Sequence, residues 1–206
     1  MKLFFHVLAS LALVKGNAFG NDEELDFCKI AGGPHGDPFD DTEFLEAGQA
    51  LMAIKLCSGH RVDGIGVSVM SKSKSQLEPF HGSEKNCATY NLAPDEHIIS
   101  IEVHTTKKRG KTRVGFVKFT NQNGQVYEAG RKSDDEDKIS GCSAPDGYHL
   151  GGFYGREGDE IDAIAAIWVP IDPLDGSGSL SPPSTQFPIV GPSSQFQEDD
   201  SSDDFK

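Results

Sequence analysis

The chain has 206 residues, which is enough for one domain of ordinary size with additional terminal segments. Its 32 acidic and 19 basic residues give a formal net charge of −13, and this disfavours general nucleic-acid binding, since phosphate contacts need clustered Lys and Arg. Dense apolar runs such as 98–103 and 161–169 argue against a wholly disordered chain, and no segment beyond the N-terminus approaches the ~20 apolar residues of a membrane span.

The N-terminal segment 1–20 has the pattern of a secretory signal peptide. Lys2 precedes an apolar run from Leu3 to Val14, and Gly16-Asn17-Ala18 then supplies the small residues that signal peptidase recognises. The alternative is a buried N-terminal helix. We expect the mature protein to be secreted and its folded domain to span residues 21–170.

The region between the two ends indicates short strands. Apolar side chains alternate at Met52, Ile54 and Leu56, which is the period of two of a half-buried strand. Thr42–Leu51 lacks a helical period and indicates loop and strand, and Asn123-Gly124 predicts a tight hairpin turn. The other predicted strands, rich in Val, Ile and Phe, are 62–69, 97–104, 113–120, 124–128, 148–154 and 161–169. Such strands at roughly ten-residue spacing predict an antiparallel all-β domain.

The C-terminal segment 171–206 differs from the rest in composition. Pro, Ser, Gly and Asp dominate it, and it ends in the acidic run Glu198–Asp204. Because it lacks apolar periodicity, it cannot offset the entropy of ordering, and we predict a disordered acidic tail. Binding of a basic partner by this tail is the alternative role.

Four cysteines occur in the chain, and an even number in a secreted protein favours two disulfide bonds. Their spacing does not choose among the three possible pairings. A zinc site is the competing interpretation, but no two cysteines lie within four residues of each other, so we expect no metal. The cysteines are Cys28, Cys57, Cys87 and Cys142.

Signatures of enzymes are scarce in the sequence. It contains no Gly-x-Ser-x-Gly elbow, no His-Glu-x-x-His pair and no phosphate-binding loop, so we expect neither catalysis nor a cofactor. Asp159, Glu160 and Asp162 bring carboxylates together, as in glycosidases, but the sequence supplies no second carboxylate at a defined distance. A glycosidase therefore remains an alternative to a binding protein.

Two glycine-rich loops are the most informative features. They are Gly32–Gly36 and Gly155–Ile164, and glycine lets backbone N–H groups approach a ligand closely. With their surroundings these loops closely resemble the jacalin-related lectins, over about residues 27–170. The motifs that carry the resemblance are Gly32-Gly33-x-x-Gly36, Val62-Asp63-Gly64-Ile65, His81-Gly82, Pro94-Asp95-Glu96-His97-Ile98, Phe119-Thr120-Asn121 and Gly158-x-x-x-Asp162-Ala163-Ile164.

The resemblance implies a fold and a binding site. The fold would be a β-prism I of three four-stranded antiparallel sheets, with a metal-free sugar site at one end. The backbone N–H groups of Asp159 and Glu160 would donate to the sugar, and Asp162 would accept from two hydroxyls. Gly158 belongs to the same loop, and Gly32 and Gly33 would add another backbone donor. The resemblance also favours the pairings Cys28–Cys142 and Cys57–Cys87.

Ala31 precedes Gly32 in a continuous chain, and neither residue 159 nor residue 160 is aromatic. In both features the chain resembles the mannose- or glucose-binding branch of the family. The expected partner is a glycan, on a cell-wall polysaccharide or a glycoprotein, and an oligomer is possible. One alternative is a secreted interaction protein with a degenerate sugar pocket. Another is a sulfated-glycan binder acting through a basic hairpin, and its candidate residues are Lys107, Lys108, Arg109, Lys111 and Arg113.

Overall fold

The computed structural model describes residues 25–171, so the predicted signal peptide and all but the first residue of the predicted tail lie outside this range. The described part contains fourteen strands and two short 3-10 turns, Thr42–Phe44 and Glu136–Lys138. No helix in this part is long and apolar enough to cross a membrane. The strands are β1 (Asp26–Phe27), β2 (Ala31–Gly32), β3 (Asp37–Asp40), β4 (Ala50–Ser58), β5 (Val62–Met70), β6 (Gln76–Leu77), β7 (Phe80–Gly82), β8 (Cys87–Asn91), β9 (Ile98–Lys108), β10 (Lys111–Asn121), β11 (Val126–Gly130), β12 (Ile139–Ser143), β13 (Tyr148–Glu157) and β14 (Ile161–Pro170).

The strands form three antiparallel sheets. Sheet I has the order β1-β14-β13-β3, and β2 also pairs with β14. Sheet II has the order β6-β5-β4-β8, and β7 also pairs with β5, while sheet III has the order β11-β10-β9-β12. Since β1 and β2 share one edge of β14, and β6 and β7 share one edge of β5, each sheet is four strands wide. This confirms the predicted all-β fold of three four-stranded sheets.

The core lies between the inner faces of the three sheets. Every residue of β14 is buried, as its nearly continuous apolar sequence predicts. Phe119 of sheet III and Phe153 of sheet I pack with ring centroids 5.7 Å apart, and Ile54 of sheet II is fully buried. Each sheet therefore contributes large side chains to one core, which holds the connecting turns in fixed positions.

The long predicted strands agree with those in the structure, and the differences are local. The strand predicted at 124–128 begins at Val126, because the Asn121 side chain accepts from the backbone N–H groups of Asn123 and Gln125 and closes the turn. Gly124 has the positive φ of +80° that this turn requires. The edge strands β3, β8 and β12 were missed, since their exposed residues carry no apolar alternation.

Both expected disulfide pairings are present. Cys28, just after β1, is bonded to Cys142 of β12, and this bond joins sheet I to sheet III. Cys57 of β4 is bonded to Cys87 of β8, its neighbour within sheet II. Two disulfides satisfy all four cysteines.

Candidate functional site

Three strand-connecting turns, one from each sheet, meet around the side chain of Glu160. Glu160 lies in the turn between β13 and β14 of sheet I. Arg61, from the β4–β5 turn of sheet II, donates from Nε and Nη2 to the two Glu160 carboxylate oxygens at 2.9 and 2.7 Å. Lys108, at the end of β9 in sheet III, donates to Glu160 Oε1 at 2.7 Å. One carboxylate thus holds the turns of all three sheets together.

The electrostatics of Glu160 follow from these contacts. The side chain is only 8% exposed, so that its charge depends on its two partners for compensation. The hydrogen bond from Arg61, with the contribution of Lys108, lowers the pKa of Glu160 to about 2. Glu160 is therefore ionised at neutral pH, and its carboxylate is turned towards Arg61 and Lys108.

Asp162 is the other buried carboxylate at this end of the domain. It belongs to the start of β14 and is 2% exposed. Arg113 of β10 donates from Nη1 to Asp162 Oδ1, which leaves Oδ2 facing Gly36. Burial raises the pKa of Asp162 above its ordinary value, while Arg113 and His35 oppose this rise.

The glycines of the 32–36 loop allow it to pack tightly against Asp162. Gly33 donates its backbone N–H to the Asp162 backbone oxygen at 2.8 Å, and a Cβ on Gly32 would lie 2.3 Å from that same oxygen. Gly36, with φ of +76°, lies so close to Asp162 that a Cβ there would be 2.8 Å from Oδ2. Arg156 fixes the loop by donating to the backbone oxygens of His35 and Gly36 at 3.0 and 2.8 Å. The Gly33 N–H expected to face a sugar is thus already bonded within the protein.

These turns enclose a cavity of about 320 Å³. We call it the Asp162 cavity. Three chain segments line it: the 32–36 loop, the β9–β10 hairpin and the β13–β14 turn. Its lining residues are His35, Gly36, Lys108, Arg109, Lys111, Arg113, Gly158, Asp159, Glu160 and Asp162. The structure therefore brings together Gly158, Asp159, Glu160 and Asp162 of the sugar-binding prediction with four of the five predicted basic residues.

The predicted residues contribute to this cavity in different ways. Gly32 and Gly33 pack behind Asp162 and are not part of its lining, and Lys107 is also absent from the wall. Lys108 and Arg113 are engaged with Glu160 and Asp162, so that Arg109 and Lys111 are the hairpin cations in the wall that have no carboxylate partner among the described residues. Asp159 contributes an exposed carboxylate.

Three contributors were not identified from the sequence. Arg61 lies in a different sheet from its partner and 99 residues earlier, so no local pattern connects them. His35 and Gly36 lie within the Gly32–Gly36 loop, and this loop was the sequence feature that could have indicated their position in the cavity wall.

Comparisons with known proteins agree with this architecture. Residues 28–167 match the family model of the jacalin-like lectin domain. A secreted RxLR effector protein 19 from Plasmopara viticola is 42% identical over 180 residues, which cover 85% of this chain and all of the relative. The chain therefore belongs to the jacalin-like lectin domain family. The secreted relative and the two disulfides place it among secreted proteins.

Solved structures share the fold at low sequence identity. A mannose-specific jacalin-related lectin from Morus nigra, solved with mannose, is 19% identical with a TM-score of 0.61, and the match covers 74% of this chain and 99% of that one. A mannose-binding jacalin-related lectin from Ananas comosus is 19% identical with a TM-score of 0.60, covering 71% of this chain and 98% of that one. At this identity the likeness identifies the β-prism fold.

Proposed function

We propose that this chain is a secreted lectin that binds a mannose- or glucose-type sugar in the Asp162 cavity without a metal ion. The observation that carries the proposal is the position of Asp162 Oδ2 next to Gly36, in the wall of a cavity open to solvent. A side chain at position 36 would cover this oxygen, so glycine there is a condition for the approach of a sugar hydroxyl. A carboxylate oxygen accepts such a hydroxyl in a charge-assisted hydrogen bond.

Arg113 has a positioning role in this proposal. Its bond to Oδ1 fixes the orientation of the Asp162 carboxylate and supplies a countercharge in a buried place. The sugar is then held by Oδ2 together with the N–H groups of Asp159 and Glu160, which have no acceptor among the backbone contacts of residues 25–171. The Glu160 side chain supports the turn through Arg61 and Lys108 and does not contact the sugar.

The experiment that tests this function is a titration of the folded protein with methyl mannoside, methyl glucoside and methyl galactoside at two salt concentrations. We expect the first two sugars to bind, the third to bind far more weakly, and the affinities to change little with salt because the ligands are neutral. Release of reducing sugar from a glycan panel would instead indicate a glycosidase. Absence of binding to any neutral sugar would support the degenerate-pocket alternative.

A second candidate, binding of sulfated glycans through the β9–β10 hairpin, is supported by the unpaired cations Arg109 and Lys111 in the cavity wall. The ion pairs of Lys108 and Arg113 leave less positive charge available there than the sequence alone indicates. Binding that collapses as salt rises, without binding of neutral sugars, would favour this candidate.

We also propose the chain organisation suggested by the sequence: a signal peptide over 1–20, the lectin domain over 21–170 and an acidic tail over 171–206. Cleavage after Ala18 or Gly20 would produce the mature N-terminus. Intact-mass measurement of the secreted protein tests the cleavage, and rapid proteolysis confined to 171–206 would support the tail.

A further inference from the structure

A second cavity, of about 430 Å³, has Arg61, the ion-pair partner of Glu160, in its wall. We call it the basic cleft. Its charged and titratable lining residues are His60, Arg61, Arg131, Lys132, Asp134 and Lys138. Five of these six are basic, although the chain as a whole carries a net charge of −13. A concentration of one sign of charge in a concave surface attracts ligands of the opposite sign.

The cations of the basic cleft are only partly compensated. Lys132 pairs with Glu128 at 3.0 Å and Lys138 pairs with Asp135 at 2.7 Å, but all four side chains are 44–55% exposed. Exposed pairs of this kind are weak, so that a ligand anion can compete for both lysines. Arg131 and His60 have no carboxylate partner among the described residues.

The backbone holds Arg131 firmly in the wall of the cleft. Gly130 has a φ of +92°, and a Cβ there would lie 2.2 Å from the backbone oxygen of Gly115, so the turn requires glycine. Arg131 then donates its own N–H to the same oxygen at 2.9 Å. Two residues further on, Ser133 N–H donates to His104 Nδ1 at 3.0 Å. The guanidinium is therefore presented from an anchored segment.

Hydroxyl groups complete the polar lining of the cleft. Thr105, Thr106 and Ser133 belong to its wall, and Thr105 already donates its Oγ1 hydrogen to the Lys138 backbone oxygen at 3.4 Å. Ser133 Oγ accepts from the Asp135 N–H at 3.2 Å, which leaves its own hydrogen free for a ligand oxygen. Cations and hydroxyl donors around one polar cavity suit a tetrahedral or planar oxyanion.

We propose that the basic cleft binds an anionic group, a sulfate ester or a carboxylate, of the glycan whose sugar ring occupies the Asp162 cavity. Arg61 lines the basic cleft, and its partner Glu160, bonded to it at 2.7 Å, lines the Asp162 cavity, so that this ion pair belongs to the walls of both. We therefore expect one oligosaccharide to reach both. This inference rests on the proposed lectin function only for the neutral part of the ligand.

The test compares a sulfated oligomannoside with its unsulfated form, and a carboxylated oligosaccharide of the same length forms a third arm. For the wild-type protein we expect the anionic ligands to bind at least about tenfold more tightly than the neutral one, since a hydrogen bond to a charged group is worth that much. Rising salt should reduce this preference. Whichever anionic arm binds more tightly identifies the preferred anion.

The variant His60→Gln/Arg131→Gln removes the two unpaired groups and leaves the Arg61–Glu160 pair intact. We expect it to lose the preference for the anionic ligands and to keep the wild-type affinity for the neutral one. Lys29→Gln is the matched control, because Lys29 is exposed and lines neither cavity. Equal wild-type affinity for charged and neutral ligands, or a preference that survives in the double variant, would overturn the inference.

Failure of the lectin proposal gives a different result. If no neutral sugar binds but a sulfated ligand binds in a manner that needs His60 and Arg131, the cleft is supported and the Asp162 cavity is not. If the neutral sugar binds and sulfate adds nothing, the lectin function stands and the cleft proposal is wrong.

Discussion

Replacement of Asp162 by Asn is the change that most directly addresses the proposed sugar site. The amide keeps the size of the side chain but removes its charge, and one of its two former acceptor atoms becomes a donor. In the proposed complex, Oδ2 accepts a sugar hydroxyl and Oδ1 keeps Arg113. Charge-assisted hydrogen bonds of this type are worth about 1.5–3 kcal/mol each. Because the amide nitrogen can still donate to the hydroxyl oxygen, the expected loss is that of one charge-assisted acceptor, about tenfold to 100-fold in affinity, or roughly 1.5–3 kcal/mol.

The same substitution has a cost for folding. Asp162 is 2% exposed and the Arg113 side chain is 16% exposed, so that the guanidinium loses its countercharge in a place that water reaches poorly. Breaking one side of a buried ion pair costs roughly 3–5 kcal/mol. We therefore expect a clear fall in the free energy of unfolding in addition to the loss of binding.

The measurement must separate these two effects. Affinity for methyl mannoside is measured by calorimetry well below the melting temperature of the variant, where circular dichroism shows it to be folded. Asp159→Asn is the control, since Asp159 lies in the same turn but its side chain is exposed. We expect this control to change both affinity and stability little. Wild-type affinity in folded Asp162→Asn protein would refute the assignment of Asp162 as the acceptor.

Three further predictions concern stability. The ion pairs of Glu160 lower its pKa from 4.5 to about 2, so the stabilisation they give is complete above pH 4.5 and is lost as the pH falls towards 2. In urea unfolding, the free energy of unfolding of the wild type should exceed that of Glu160→Gln by about 3 kcal/mol at pH 7, and the difference should disappear near pH 2. Burial lowers the pKa of His149 from 6.5 to about 4, so this residue should contribute a fall of about 3 kcal/mol in the free energy of unfolding between pH 6.5 and pH 4. A His149→Gln variant with the same pH slope as the wild type would contradict this. Removal of Cys28–Cys142, with a sequence separation of 114, should cost about 5 kcal/mol, against about 4 for Cys57–Cys87 with a separation of 30, and denaturant midpoints of the two double Ala variants test the order.

The fold was predictable where burial imposes a pattern on the sequence. The nearly continuous apolar sequence of β14 and the alternating one of β4 both correspond to side chains buried in the core, so the pattern of apolar residues predicts these strands directly. The edge strand β8, by contrast, has four exposed residues among five and depends on backbone pairing with β4, which leaves no mark in its composition. Long-range backbone pairing of exposed residues is therefore the part of the fold that the pattern could not reveal.

The candidate site also has one part that was predictable from the sequence and one part that was not. The residues of the Gly158–Asp162 loop are adjacent in sequence, and the pattern of glycine followed by a carboxylate is local, so it was identifiable. The ion pairs that surround the loop join residues 49 and 99 positions apart, Arg113 to Asp162 and Arg61 to Glu160. No single sequence reveals such pairs, because they depend on how the turns of three separate sheets come together.

These ion pairs change the meaning of the acidic residues in the loop. From the sequence, Asp159 and Glu160 add two negative charges beside Asp162 in the loop that is expected to bind the sugar. In the structure, Arg61 and Lys108 compensate the charge of Glu160, and its carboxylate accepts hydrogen bonds that connect the turns of sheets I, II and III. A cavity lined by turns of different sheets needs such a contact to keep its shape, since turns are the more mobile parts of a β fold. Glu160 therefore supports the geometry on which hydroxyl binding by Asp162 depends, and Asp159 alone adds uncompensated negative charge to the cavity wall.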